Sequence, residues 1–170
     1  METNQPPNQP DNPDRLESDS SARNARAKVG AAATALIIDD DIVTRHFIRF
    51  ALEAGGWQVE EAENAGDGLK KVRSLHPQLV TLDLIMPNNA GLDALQLARM
   101  INDEAADITL LVLSSAGSRE DIKEFADKHE LELFDKATIN TPYGRFFSRI
   151  DNLFRELSDP TLRLAARSNA

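Results

Sequence analysis

The sequence predicts an α/β fold in which five strands alternate with five helices and build a mostly parallel sheet covered on both faces. Apolar runs of strand length recur along the chain, at Ala35–Ile38, Trp57–Val59, Leu79–Met86, Ile108–Leu113 and Leu131–Phe134. Amphipathic stretches of helical period lie between them. Each strand-helix unit takes roughly 22 to 25 residues, the size of a βα unit, with no sign of a solenoid.

Composition narrows the class. A chain of 170 residues suits one well-buried domain. There is no cysteine, so disulfide and thiol chemistry are excluded and a reducing, cytoplasmic setting is expected. A formal charge of −9 and a pI near 4.8 disfavour nucleic acid and anionic membrane surfaces as partners, since both select a basic face. No apolar run approaches the roughly 20 residues that span a bilayer, so no membrane insertion is expected.

Residues 1–32 are predicted to be a disordered extension. Pro6, Pro7, Pro10 and Pro13 lie among many Asn, Asp and Ser, and Met1 to Ala27 hold no aromatic residue and only Leu16 among the larger aliphatics. Glu2 and Asp11 stand where a secretory signal needs a basic start and an apolar core. Arg23, Arg26 and Lys28 read as a solvated linker. The folded domain is expected over 33–158 and a C-terminal tail over 159–170.

Within the domain, the strand from Thr34 to Ile38 ends in three acids, Asp39, Asp40 and Asp41. Phe47, Ile48, Ala51 and Leu52 recur at helical spacing until Gly55-Gly56, and Trp57-Gln58-Val59 alternates as a strand. Asn64 with Asp67 opens a second helix whose inner face is Leu69, Val72 and Leu75. Gly66 and Gly68 lower its propensity, and His76-Pro77 ends it. After the third strand, Pro87, Asn88, Asn89 and Gly91 supply a loop, and a helix carries Leu92, Leu95 and Met100. The fourth strand ends in Ser114-Ser115. Ser118 with Asp121 forms a capping box for a helix that turns Ile122, Phe125 and Ala126 inward. Leu131–Phe134 leads to Asp135-Lys136. Thr141-Pro142 then supplies an N-cap and first helical position for the last helix. There Tyr143, Phe146, Phe147, Ile150, Leu153, Phe154 and Leu157 fall within an arc of about 120°, a core-facing stripe. Asp159-Pro160 closes it. His46, His76 and His129 form no pattern and read as helix-surface or helix-end residues.

The third strand spends its one charge on Asp83, and an ionised carboxylate inside a buried strand is costly to desolvate. At the strand's carboxyl end it can face a cleft. Asp39 and Asp40 follow the first strand, Ser114 the fourth and Lys136 the fifth, all on the edge where open α/β sheets bind ligands. Carboxylates converging there repel by a few kcal/mol at an effective dielectric near 20. A hard divalent cation removes that repulsion, so Asp39, Asp40 and Asp83 make a Mg2+ cradle. A lysine and a hydroxyl opposite suit an incoming phosphoryl group.

In that order of residues the chain resembles the receiver domain of two-component response regulators, over about Ala33 to Leu157. The resemblance implies a flavodoxin-like receiver fold, a five-stranded parallel sheet of order 2-1-3-4-5. It implies that Asp39, Asp40, Asp83 and the Ile85 backbone carbonyl hold Mg2+. By the same resemblance, Asp83 accepts a phosphoryl group from a histidine kinase or histidine phosphotransfer protein, Ser114 swings toward it and Lys136 pairs with it. The expected protein is a single-domain member of a phosphorelay with no enzyme activity beyond its own phosphorylation and dephosphorylation. It would signal to a target protein through a face between Asp121 and Leu157. Ile85 and Ala116, two residues beyond Asp83 and Ser114, would flank the path of a hydrolytic water. Neither side chain can hydrogen-bond it, so a long-lived phosphoprotein is expected. The chain departs from the family at Ala137, where proline usually follows the lysine, and at Leu133, where many receivers carry Tyr or Phe.

Two other readings compete. Ile38-Asp39-Asp40-Asp41-Ile42-Val43 resembles the Asp-x-Asp-x-Val motif of haloacid-dehalogenase-like phosphatases, with Ser114 and Lys136 as its second and third motifs. That family needs a further acidic pair beyond the lysine and gives Asp83 no role. Leu133 and Ala137 suit a receiver fold used as an unphosphorylated scaffold. No Gly-rich turn follows the first strand, which disfavours dinucleotide binding.

Overall fold

The computed structural model describes residues 33–86, 93–104, 107–115, 120–139, 141 and 144–158. In chain order its elements are β1 (Thr34–Ile38), α1 (Ile42–Ala54), β2 (Gln58–Ala62), α2 (Ala65–Leu75), β3 (Leu79–Asp83), α3 (Ala94–Glu104), β4 (Thr109–Ser114), α4 (Glu120–Lys128), β5 (Glu132–Asp135) and α5 (Arg145–Ser158). The strands pair in parallel in the order β2-β1-β3-β4-β5. The extension 1–32, Pro87, Asn88, Asn89, Gly91, Leu92, Ala116, Ser118, Pro142, Tyr143 and the tail 159–170 lie outside the described residues.

Alternation along the strands feeds two cores, as a sheet covered on both faces requires. Ala35, Ile37, Leu79, Leu111, Leu113 and Phe134 pack with Ile48 and Leu52 of α1 and Phe146, Ile150 and Leu153 of α5. Leu36, Ile38, Val80, Leu82 and Val112 pack with Val72 of α2, Leu97 and Ile101 of α3, and Ile122 and Phe125 of α4. Because β1 is flanked by β2 on one side and β3 on the other, connections leave the sheet in opposite directions at the β1/β3 boundary. A crevice opens there at the carboxyl ends.

Several elements differ in detail from the sequence reading. The second strand begins after Trp57 and runs on through Glu60, Glu61 and Ala62, whose backbones pair with Leu36, Ile37 and Ile38. Trp57 is instead core, edge-on to Phe154 at 5.6 Å. On α2, Leu75 is 40% exposed, because it lies in the last turn where His76, at φ 48°, swings the chain away. The inner face is Ala65, Gly68 and Val72. On α3 the buried set is Ala94, Leu97, Ala98 and Ile101, while Leu95 and Met100 are half-buried flanks. A search for large apolar residues misses a face that contains two alanines.

The last helix starts at Arg145, later than the sequence suggests. Three successive turns precede it, Thr138 N–H to Asp135 O, Thr141 N–H to Thr138 O and Gly144 N–H to Thr141 O. The Gly144 carbonyl, not that of Thr141, accepts the first helical bond, from Ser148 N–H. A Cβ at Gly144 would sit 2.9 Å from the Thr141 oxygen, so the approach needs glycine.

The two glycines of α2 are not equivalent. A Cβ on Gly68 would lie 2.6 Å from Ile38 Cδ1 and 3.1 Å from its Cγ1 and Cγ2, in a fully buried corner, whereas one on Gly66 meets only the Asn64 side chain at 3.4 Å. Gly68→Ala should cost about 1–3 kcal/mol by overpacking. Gly66→Ala should stabilise by about 0.5 kcal/mol through helix propensity. Urea denaturation of the two variants checks the opposite signs.

Candidate functional site

Ile38 pairs with Leu82, so the next residues, Asp39 and Asp83, emerge side by side at the crevice. Asp83 faces Leu113 across to β4, and Ser114 faces Asp135 across to β5. Lys136 N–H then donates to the Ser114 carbonyl at 3.0 Å, which fixes where the lysine leaves the sheet. Its Nζ lies 2.6 Å from Oδ2 of Asp39 and 2.6 Å from Oδ2 of Asp83. Only the Asp83 contact has hydrogen-bond geometry.

The two carboxylates are almost dry, Asp39 at 0% and Asp83 at 2% exposure, and the Ser114 side chain is also buried. Each Oδ1 accepts a backbone donor two residues on, Asp41 N–H for Asp39 and Ile85 N–H for Asp83, both at 2.9 Å. Burial pushes both carboxyls above the usual aspartate range, and the Lys136 ammonium 2.6 Å from each offsets this only in part. Burial works against charge on Lys136 too, but its two carboxylate partners outweigh that and raise its pKa. The ammonium therefore stays charged.

The third acid of the triplet does something else. Asp41 is the N-cap of α1, accepting from Thr44 N–H at 2.9 Å and from the Thr44 hydroxyl. Those bonds hold its carboxyl below the usual range. Asp40, half-buried, joins the other two instead, and one oxygen from each of Asp39, Asp40 and Asp83 lies within 4.8 Å of the others.

This set fits a hard divalent cation. All donors are carboxylate oxygens, and three negative charges face one ammonium, which lies 2.6 Å from both Asp39 Oδ2 and Asp83 Oδ2 and leaves the cluster in need of a further positive charge. The Ile85 backbone is tied beside Asp83 through its N–H.

One participant was missed in the sequence. Arg45 of α1 is 4% exposed, and its Nη1 donates to the Asp39 carbonyl at 2.8 Å. The available signal was its phase, three residues before Ile48 on the inner face of α1. The three histidines lie away from this cluster: His46 is exposed on α1, His76 ends α2, and His129 packs on the Phe125 ring just past α4.

The family pattern of the response regulator receiver domain matches residues 35–138. The chain belongs to the response regulator receiver family. Among relatives of this receiver, Response regulator MprA of Mycolicibacterium vanbaalenii is 34% identical over 83 residues, covering 49% of this chain and 35% of the relative. Protein-glutamate methylesterase/protein-glutamine glutaminase 5 of Myxococcus xanthus is 37% identical over 106 residues, covering 61% of this chain and 30% of the relative. The receiver thus spans about a third of the length of these proteins.

Solved structures share its fold. A CheY-like receiver domain protein from Methanospirillum hungatei has a TM-score of 0.62 at 18% identity, covering 75% of this chain and 97% of that one. A response regulator from Thermotoga maritima has a TM-score of 0.59 at 22% identity, covering 73% and 98%.

The raised carboxyl pKa values carry a sign. The folded chain binds these protons more tightly than the unfolded chain, so stability is lost as pH rises from the ordinary aspartate value, about 4, through the raised one. Asp83→Asn removes one such group. In metal-free buffer the variant should gain on the wild type as pH is raised from about 4 to about 7, read by urea denaturation at each pH. A difference that does not change with pH would mean that Lys136 fully compensates the buried charge.

Proposed function

We propose that this receiver is switched by transfer of a phosphoryl group to Asp83 from the phosphohistidine of a histidine kinase or histidine phosphotransfer protein. The observation that carries the reading is Lys136 Nζ held 2.6 Å from a buried Asp83 at the sheet's switch point, with Asp39 and Asp40 alongside. A carboxylate oxygen of Asp83 attacks phosphorus, the P–N bond to the donor imidazole breaks, and the imidazole takes up a proton. Lys136 offers its ammonium to a phosphoryl oxygen, and the Ser114 hydroxyl is one strand away to donate to another. Mg2+ held by Asp39, Asp40, Asp83 and the Ile85 carbonyl would neutralise charge on the transferring group.

The consequence is mechanical. Lys136 directly follows β5, so drawing its ammonium from Asp39 and Asp83 toward a phosphate pulls on β5 and on the run of turns that leads into α5. Signal then leaves by protein contacts in the α4, β5 and α5 region, in the cytoplasm, without turnover of any other substrate. The phosphatase alternative fits less well, because Asp41, the second acid of its motif, is occupied in capping α1.

Incubation with Mg2+ and a small phosphodonor, followed by intact mass, tests the reading. Wild type should gain one acid-stable, base-labile acyl phosphate and Asp83→Asn none. Label on Asp39 or Asp41, or steady turnover of a phosphate ester without phosphoprotein, would favour the phosphatase instead.

Persistence of that phosphate turns on Ile85, half-buried and anchored beside Asp83. An aliphatic side chain cannot orient water, so self-dephosphorylation should be slow. Ile85→Asn should shorten the acyl-phosphate lifetime about tenfold, the effect of lowering the barrier by about 1.4 kcal/mol. Decay of phosphoprotein after removal of the donor measures it, and a wild-type lifetime of seconds or an unchanged variant would sink the idea.

A further inference from the structure

We infer that Arg45 is a positioning residue for cation binding: its guanidinium fixes the peptide between Asp39 and Asp40 and so aims both carboxylates. The inference rests on the phosphoacceptor reading above.

The guanidinium makes three directed bonds and none to the carboxylates of the cluster. Nη1 donates to the Asp39 carbonyl at 2.8 Å, Nε to Glu61 at 3.3 Å and Nη2 to Glu63 at 3.2 Å. The Asp39 carbonyl belongs to the peptide that joins Asp39 to Asp40. Its orientation therefore sets how the chain leaves one acid and enters the next. On the other side of Asp39, its own N–H donates to the Ala62 carbonyl at 3.1 Å. Ala62 lies between the two glutamates that grip Arg45, so the peptides on either side of Asp39 are tied to the same end of β2. Arg45 also holds the third acid through its backbone, with its N–H on the Asp41 carbonyl at 3.0 Å.

Stability alone gives little reason for this arrangement. A buried ion pair is often no better than a well-packed apolar side chain of similar size, and α1 already presents Ile48, Ala51 and Leu52 on that face. A planar fork contributes direction, which a lysine's point charge cannot reproduce across three acceptors. Glu61 and Glu63 also compensate the guanidinium charge, so it does not oppose a cation bound nearby.

Calorimetric titration of Mg2+ into the full chain tests this. Arg45→Gln should weaken Mg2+ binding by about tenfold or more, the usual effect of removing a group that orients metal ligands, and Arg45→Lys should not restore it. Arg149→Gln is the control. Arg149 bonds Glu132 of β5 and shares no partner with Arg45, so that variant should lose an ion pair yet bind Mg2+ as wild type does. Phosphorylation of Arg45→Gln by a small donor should be slow at limiting Mg2+ and recover at saturating Mg2+, because Asp83, Ser114 and Lys136 are intact. A folded Arg45→Gln with wild-type affinity, or an equal loss in Arg149→Gln, overturns the inference. If Arg45→Gln does not fold, Arg45→Lys takes its place, and wild-type affinity there overturns it equally. A wild type that binds no Mg2+ and is not phosphorylated defeats this inference together with the reading beneath it. A wild type that does both beside unaffected Arg45 variants defeats this inference alone.

Discussion

Two buried carboxylates, Asp39 and Asp83, share one ammonium, and the rest of the site is arranged around that imbalance. Lys136 approaches each at 2.6 Å but cannot neutralise both, and burial holds both carboxyls above their usual range. With Asp40 added, the cluster remains net negative, so its folded form is under electrostatic load that a cation relieves. A fold that only needed to be stable would not keep such a group. The strain is tolerable because the two apolar clusters on either side of the sheet supply the stability elsewhere.

Topology makes the imbalance possible. At the boundary between β1 and β3 the connections leave to opposite sides, one back to β2 and the other on to β4, and the chain places an aspartate at the end of both strands there. Three acids in a row could have crowded one another. Instead they divide the work. Asp39 is buried against Lys136, Asp40 reaches the cluster from a half-buried position, and Asp41 is spent on the helix cap. The cap starts α1 at once, and α1 brings Arg45 back over the peptide that carries the first two acids.

Much of this was legible in the sequence, for physical reasons. Strands buried on both faces read as apolar runs, and a charge at the end of such a run has few explanations, so Asp39, Asp83, Ser114 and Lys136 stood out. Strand order did not follow from the residues, because apolar periodicity does not say on which side of β1 the next strand docks; only the family resemblance supplied it. Arg45 was missed because a charged residue on a helix ordinarily reads as solvated. Its burial depends on Glu61 and Glu63, 16 and 18 residues further on, and on a strand that continues through acidic residues. Leu75 and Met100 failed differently, since helix phase was taken from size, and the true inner faces include Ala65, Gly68, Ala94 and Ala98.

The two departures from the family pattern have different weights once their geometry is known. At Ala137 the backbone N–H donates to the Asp135 side chain at 2.9 Å, and the Thr138 N–H donates to the Asp135 carbonyl at 2.9 Å. Proline has no N–H, so the first of these bonds exists only because alanine stands there. The loop that carries Lys136 is thus braced by a hydrogen bond in place of a ring. Leu133 changes more. It is half-buried against the cluster containing Ile122 and Phe125, while the aromatic residue of β5 is Phe134, one position later. A shift of one residue along a strand changes the face of the sheet. Phe134 accordingly packs edge-on to Phe146 at 5.4 Å with the Arg145 guanidinium over its ring, so the aromatic contact of β5 is made with α5. Under the proposed switching, a displacement at Lys136 would therefore reach the start of the last helix through a buried ring that cannot turn outward without opening the core.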